Sequence, residues 1–105
     1  MSRQRKADPP LRDSLLAKPI LSAEEWRRAV LALRLSPQQS RILELLLQAK
    51  RDKEIAAALD VNVWTVRTHF TRLFTRLGVA DRVELLLLVF AAARSGHRTK
   101  DVVYQ

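Results

Sequence analysis

Apolar residues recur every three or four positions in several stretches of the chain, which is the spacing of amphipathic α-helices. The first stretch, 21–34, begins with Ser22 and Glu25, the side-chain pair of a capping box. Leu21 and Trp26 occupy the two positions of a hydrophobic staple around that cap. The pattern therefore predicts an N-terminal accessory helix over 21–34, whose apolar stripe needs a partner surface.

Four further helices are predicted, each from a polar capping residue that precedes an apolar-periodic segment. They run from Ser36 to about Ala49, from the cap Asp52 through 53–59, from the cap Asn62 to Leu77, and from the cap Asp81 through 82–94. Gly78 is well placed to end the fourth of these five helices in a left-handed conformation. Leucine and alanine are abundant and glycine occurs twice, so the composition favours an all-α fold.

The chain divides into four segments. Residues 1–20 hold three of the four prolines and much basic charge without a sustained period, which predicts a basic, proline-containing tail. The accessory helix over 21–34 follows, and 35–95 is the main helical domain. Residues 96–105 form a C-terminal extension whose function the sequence does not indicate.

Composition narrows the function classes. Lys and Arg outnumber Asp and Glu by 19 to 11, and the net charge of +8 favours a polyanionic partner such as nucleic acid over mere solubility. Cysteine is absent, and His69 and His97 alone are too few ligands for zinc, so no metal or other cofactor is expected. The sequence contains no glycine-rich phosphate loop and no nucleophile–base pattern, which argues against an enzyme. The longest apolar run, 85–93, is far shorter than the ~20 residues of a membrane span. A cytoplasmic protein without a membrane partner is expected.

Two predicted helices, 53–59 and 62–77, are joined by a short turn, as in a helix-turn-helix. On a helical wheel, the apolar residues of the second helix share one arc: Val63, Val66, Phe70, Leu73, Phe74 and Leu77. The opposite face carries Trp64, Arg67, Thr68, Thr71, Arg72 and Thr75. This helix has three arginines and no carboxylate, whereas a solvated face usually mixes both signs.

Such a face has the chemistry that reads the major groove of DNA. Arginine can donate two hydrogen bonds to guanine O6 and N7, and the threonine methyl can contact the thymine methyl. The candidates for phosphate contacts around this face are Lys53, Thr65, Arg72 and Arg76. Composition alone gives equal support to a second interpretation, in which this is an ordinary polar outer face whose three arginines share no ligand.

Several short motifs occur in a familiar order: Leu35-Ser36-Pro37-Gln38-Gln39, Lys53-Glu54-Ile55-Ala56, Thr65-Val66-Arg67-Thr68-His69, Arg76-Leu77-Gly78-Val79 and Asp81-Arg82-Val83-Glu84-Leu85. Together they resemble the DNA-binding domain of the LuxR/GerE family, from about Leu35 to Phe90. The resemblance implies a four-helix LuxR-type bundle, here with one additional N-terminal helix, and places the helix over 62–77 in the major groove.

The resemblance also implies roles for individual residues. Arg67, Thr68 and Thr71 stand where the family usually reads base edges, and Lys53 and Thr65 where it usually contacts phosphate.

Three positions depart from the family pattern. Ala49 replaces a usual glycine, so the turn after the first family helix is expected to close differently. Thr71 replaces a frequent basic residue, which would weaken binding or alter base preference. Trp64 is larger than usual and could stack on a sugar-phosphate edge, pack on the preceding helix or contact a protein; packing is expected.

The last predicted helix, 82–94, is apolar on every side, so one neighbouring core cannot cover it. Either the accessory helix packs on its far side, a second copy of the chain does, or both. The resemblance places it where such domains commonly dimerise. The candidate interface residues are Leu86, Val89 and Phe90.

The sequence thus predicts a transcriptional regulator that binds double-stranded DNA as a homodimer. It is expected to be a stand-alone regulator, because 1–34 is too short for a receiver or ligand-binding domain. A regulatory protein that controls this chain is a further expected partner. One alternative is a domain like region 4 of sigma factors, which binds promoter DNA with RNA polymerase. Another is an adaptor that keeps the fold but binds proteins through Trp64 and the leucine-rich helix.

Overall fold

The computed structural model describes residues 10–95, and every regular element in this part of the chain is an α-helix. The helices are α1 (Leu11–Leu15), α2 (Ala23–Leu33), α3 (Pro37–Leu47), α4 (Asp52–Leu59), α5 (Val63–Leu77) and α6 (Arg82–Ser95). The all-α prediction is confirmed. What was predicted for 1–9 and for the extension 96–105 lies outside the described residues. Within the predicted tail, the short helix α1 was not anticipated, because five residues are too few to show a period.

The predicted capping boxes are present at the first two long helices. At α2, the Glu25 backbone N–H donates to Ser22 Oγ (3.1 Å) and the Ser22 N–H donates to Glu25 Oε1 (2.8 Å). Ser36 and Gln39 make the same two contacts at the start of α3. These bonds satisfy backbone donors that the first turn of a helix leaves without partners, so each helix begins where its serine is placed.

The start of α4 differs from the prediction. The helix begins at Asp52 itself, and the N-cap is Arg51, whose N–H donates to Glu54 Oε1 at 2.7 Å. This hydrogen bond, reinforced by the nearby charges of Lys50 and Arg51 and opposed by burial, holds the pKa of Glu54 below its ordinary value. The prediction that Asp52 caps the helix is therefore wrong. Its carboxylate points toward other helices instead.

The turn between α3 and α4 closes through Ala49, which has φ 62°. Its N–H donates to the Leu46 carbonyl (2.9 Å), and the Lys50 N–H donates to the Leu45 carbonyl (3.1 Å). The expectation of a different closure is therefore wrong, because alanine adopts the left-handed conformation that glycine favours. An L-residue with a Cβ pays about 1–2 kcal/mol for this conformation.

The core contains side chains from five helices, α2 to α6. The accessory helix α2 packs most extensively against α6. Ala29 of α2 is fully buried, and Arg28 Nε donates to the Ala93 carbonyl at 2.9 Å. The N-terminal helix is thus an integral layer of the domain. In the described part of the chain, no helix combines the length and hydropathy that a membrane span requires.

Candidate nucleic-acid interface

The buried side of α5 agrees with the helical wheel. Val66, Phe70 and Leu73 are at most 2% exposed, and they attach the helix to the core along one stripe. At its start, Asn62 Oδ1 accepts from the Thr65 N–H at 2.8 Å, and Gly78 ends the helix with φ 71°. Both capping predictions are confirmed. Because the buried stripe sets the rotation of α5, the opposite face must point to solvent.

That outer face carries the predicted base-reading residues. Arg67 and Thr71 are exposed, and Thr68 is half-buried. The hydroxyls of Thr68, Thr71 and Thr75 each donate to the carbonyl four residues earlier, at 3.0–3.2 Å. Since each hydroxyl proton is used within the helix, these threonines offer a bound molecule an acceptor oxygen and a methyl group.

Trp64 also lies on this face, and its side chain is 72% exposed. The expectation that it packs on the preceding helix is therefore wrong. It precedes Arg67 and Thr68 by three and four residues, so one turn of helix places all three side chains on the same surface. Any partner that approaches the N-terminal half of this face must meet the indole.

The predicted phosphate contacts fall into two groups. Lys53 on α4 and Arg72 on α5 are exposed at the edge of the face, and Thr65 is half-buried in the first turn of α5. Arg76 is different, because its Nη2 donates to the carbonyl oxygens of Leu33 (2.7 Å) and Arg34 at the end of α2. A cation there satisfies carbonyls that the helix end leaves without partners. Arg76 thus makes a structural contact within the chain, and its phosphate role stays a prediction.

Two further residues border the face and were missed by the sequence analysis. Asp52 Oδ2 lies 3.4 Å from Arg67 Nε, and Asp52 Oδ1 lies 2.7 Å from Arg82 Nη2. The Arg82 guanidinium stacks on Phe70, 4.0 Å from the ring centroid. No local pattern marks these contacts, because each joins residues of different helices that lie more than ten positions apart in sequence.

The outer face of α6 carries a second candidate surface. Val83 and Leu87 are 66% and 61% exposed, and the predicted interface residues Leu86 and Phe90 are half-buried beside them. Val89 is fully buried within its own chain, so its assignment to an interface is wrong. The i, i+4 spacing of Val83 and Leu87 would have identified this face once the packing side of α6 was known.

Helices α4 and α5, with the tight turn between them and the exposed, acid-free side of α5, define a helix-turn-helix protein. Residues 33–89, more than half of the chain, match the model of the bacterial regulatory proteins of the luxR family. The chain therefore belongs to the luxR family of bacterial regulatory proteins, as its motifs indicated.

Individual relatives are similar to part of this chain. The chain is 39% identical over 51 residues to the response regulator Rre1 of Synechocystis sp., which is 49% of this chain and 22% of that protein. It is 35% identical over 66 residues to the uncharacterized transcriptional regulatory protein YhcZ of Bacillus subtilis, which is 63% of this chain and 31% of that protein. It is 31% identical over 64 residues to the response regulator protein VraR of Staphylococcus aureus, which is 61% of this chain and 31% of that protein. The matched region amounts to 7% to 31% of the length of the curated relatives. No solved structure matches this chain.

Proposed function

We propose that this chain binds double-stranded DNA sequence-specifically and regulates transcription, with α5 in the major groove. The observation that carries this proposal is the outer face of α5, which is exposed and contains arginines but no carboxylate of its own. An α-helix fits the width of the major groove, where each base pair presents a distinct pattern of donors and acceptors.

The base-reading residues in this proposal are Arg67, Thr68 and Thr71. The arginine would recognise guanine, and the threonines would accept from adenine or cytosine amino groups or contact thymine methyls. Lys53, Thr65 and Arg72 would contact phosphates on the two sides of the groove and set the docking angle. Phosphate contacts release counterions, so binding should weaken steeply with salt.

The proposal includes a symmetric dimer through α6. Val83, Leu87 and the half-buried Leu86 and Phe90 form an apolar strip that a second copy could cover. Two copies related by a twofold axis would present two α5 helices to a palindromic site, whose spacing the interface would fix.

Selection of bound fragments from random duplex DNA tests the proposal, followed by affinity measurements on the selected and a scrambled duplex. We expect the purified chain alone to prefer the selected duplex. Arg67→Ala should cost ~1–3 kcal/mol on that duplex and relax base choice at one position. Arg27→Ala is the charge-matched control, because Arg27 lies on α2 and pairs with Glu24 at 3.1 Å. Equal losses in the two variants, or binding only in the presence of RNA polymerase, would contradict the proposal.

A further inference from the structure

The Asp52 carboxylate is the one acidic group that contacts the proposed base-reading face in the described part of the chain. It lies at the start of α4, with its side chain 21% exposed, and bridges Arg67 of α5 and Arg82 of α6. A carboxylate near the phosphates of bound DNA opposes binding. Asp52 lies beside Arg67, the proposed base-reading arginine, so its unfavourable effect on DNA affinity should be offset by a second effect that favours recognition.

The two ion pairs of Asp52 differ in distance and in burial. Asp52 Oδ1 is buried, and among the described residues its charge is balanced by Arg82 Nη2 at 2.7 Å. Arg82 is held in turn by its stacking on Phe70, which is 2% exposed. The contact to Arg67 is longer, 3.4 Å, and Arg67 is 60% exposed. Arg82 thus holds the Asp52 carboxylate in place, and that carboxylate in turn restrains Arg67.

The atom of Arg67 that faces Asp52 is Nε. This contact leaves the two terminal amino groups of the guanidinium unused by Asp52, and those groups can donate together to guanine O6 and N7. An arginine side chain restrained along one edge loses less conformational freedom when it makes that paired contact.

We propose that Asp52 is a positioning residue, which raises base discrimination by restraining Arg67 through Nε at the expense of affinity for DNA in general. This inference rests on the proposed DNA-binding function. Removal of the carboxylate should strengthen binding to any duplex and weaken the preference for the selected one.

The test is a double-mutant cycle of the native chain, Asp52→Ala, Arg67→Ala and the double variant, each measured on the selected and the scrambled duplex. In the native background, Asp52→Ala should lower the ratio of the two affinities about three- to tenfold, as expected for coupled residues in contact. In the Arg67→Ala background, the same change should leave the ratio unaltered. Affinity for the scrambled duplex should rise in both backgrounds.

Asp52→Asn keeps the size and one acceptor oxygen, so it should fold like the native chain and lose less of the discrimination. Thermal melting of every variant separates a loss of fold from a loss of positioning. An unchanged or increased ratio in both Asp52 variants, or an equal fall of the ratio with and without Arg67, would overturn the inference while the proposed function stands. If the native chain does not distinguish the two duplexes, both proposals fail.

Discussion

Arg76 and Arg72 lie one turn apart on α5, and the two side chains differ in their contacts within the chain. Arg76 Nη2 donates to the carbonyls of Leu33 and Arg34 at the end of α2, whereas Arg72 is exposed at the edge of the proposed groove face. Replacing each by alanine removes the same charge from the same helix. The pair therefore separates a contribution to the fold from a contribution to DNA binding.

The stability change follows from the contacts. A hydrogen bond to a charged group contributes about 1.5–3 kcal/mol net, and a cation at an exposed helix C-terminus about 0.3–1 kcal/mol. Because Arg76 is exposed, we expect Arg76→Ala to cost about 1–2 kcal/mol. In a domain of this size, about 1 kcal/mol lowers the melting temperature by about 4–8 °C. Arg72→Ala should change the melting temperature by less than this, since exposed substitutions away from such contacts stay within about ±0.5 kcal/mol.

DNA binding should show the reverse order. The slope of log K against log salt concentration should flatten by ~0.9 for Arg72→Ala, which loses one phosphate contact, and stay unchanged for Arg76→Ala. Circular dichroism melting and fluorescence anisotropy at four salt concentrations measure the two effects on the same preparations. A flattened slope with an unchanged melting temperature for Arg76→Ala would refute the structural assignment of this arginine.

Three further predictions concern other parts of the molecule. Ala49→Gly should raise the stability of the fold by about 0.5–1 kcal/mol, because glycine relieves the left-handed strain but adds freedom to the unfolded chain. Ala57→Gly, inside α4, should lower the stability by a similar amount, and thermal melting compares the two variants. Leu87→Glu should shift sedimentation of the DNA complex from dimer to monomer without unfolding the chain, since Leu87 is 61% exposed; an unchanged dimer would exclude this face. The lowered pKa of Glu54 gives stability that is present above its ordinary value of 4.5 and is lost as the pH falls through the folded-state value. Glu54→Gln should therefore lose less stability than the native chain between about pH 6 and pH 3 in urea melts, and parallel losses would argue against this contribution.

The helices of this protein were predictable from sequence because their determinants are local. A capping box joins residues three apart, and an apolar stripe joins residues three and four apart, so both are visible in the order of residues. Ser22, Ser36 and Asn62 begin helices where the sequence indicated, and the buried stripe of α5 agrees with its wheel. The exposure of Arg67 and Thr71 follows from that stripe.

Tertiary packing decided which of these side chains are available to a partner. Arg76 contacts backbone more than forty positions away, and Asp52 contacts Arg67 fifteen positions away, so no local pattern could indicate either pairing. The side of α6 that is buried could not be predicted either, because a helix that is apolar all around has no preferred face until a neighbour packs on it. Contact with α2 and the rest of the core buries Val89 and leaves Leu87 exposed. Local hydrogen bonds and periodicity thus determined the helices, whereas the long-range arrangement of those helices determined the candidate surfaces.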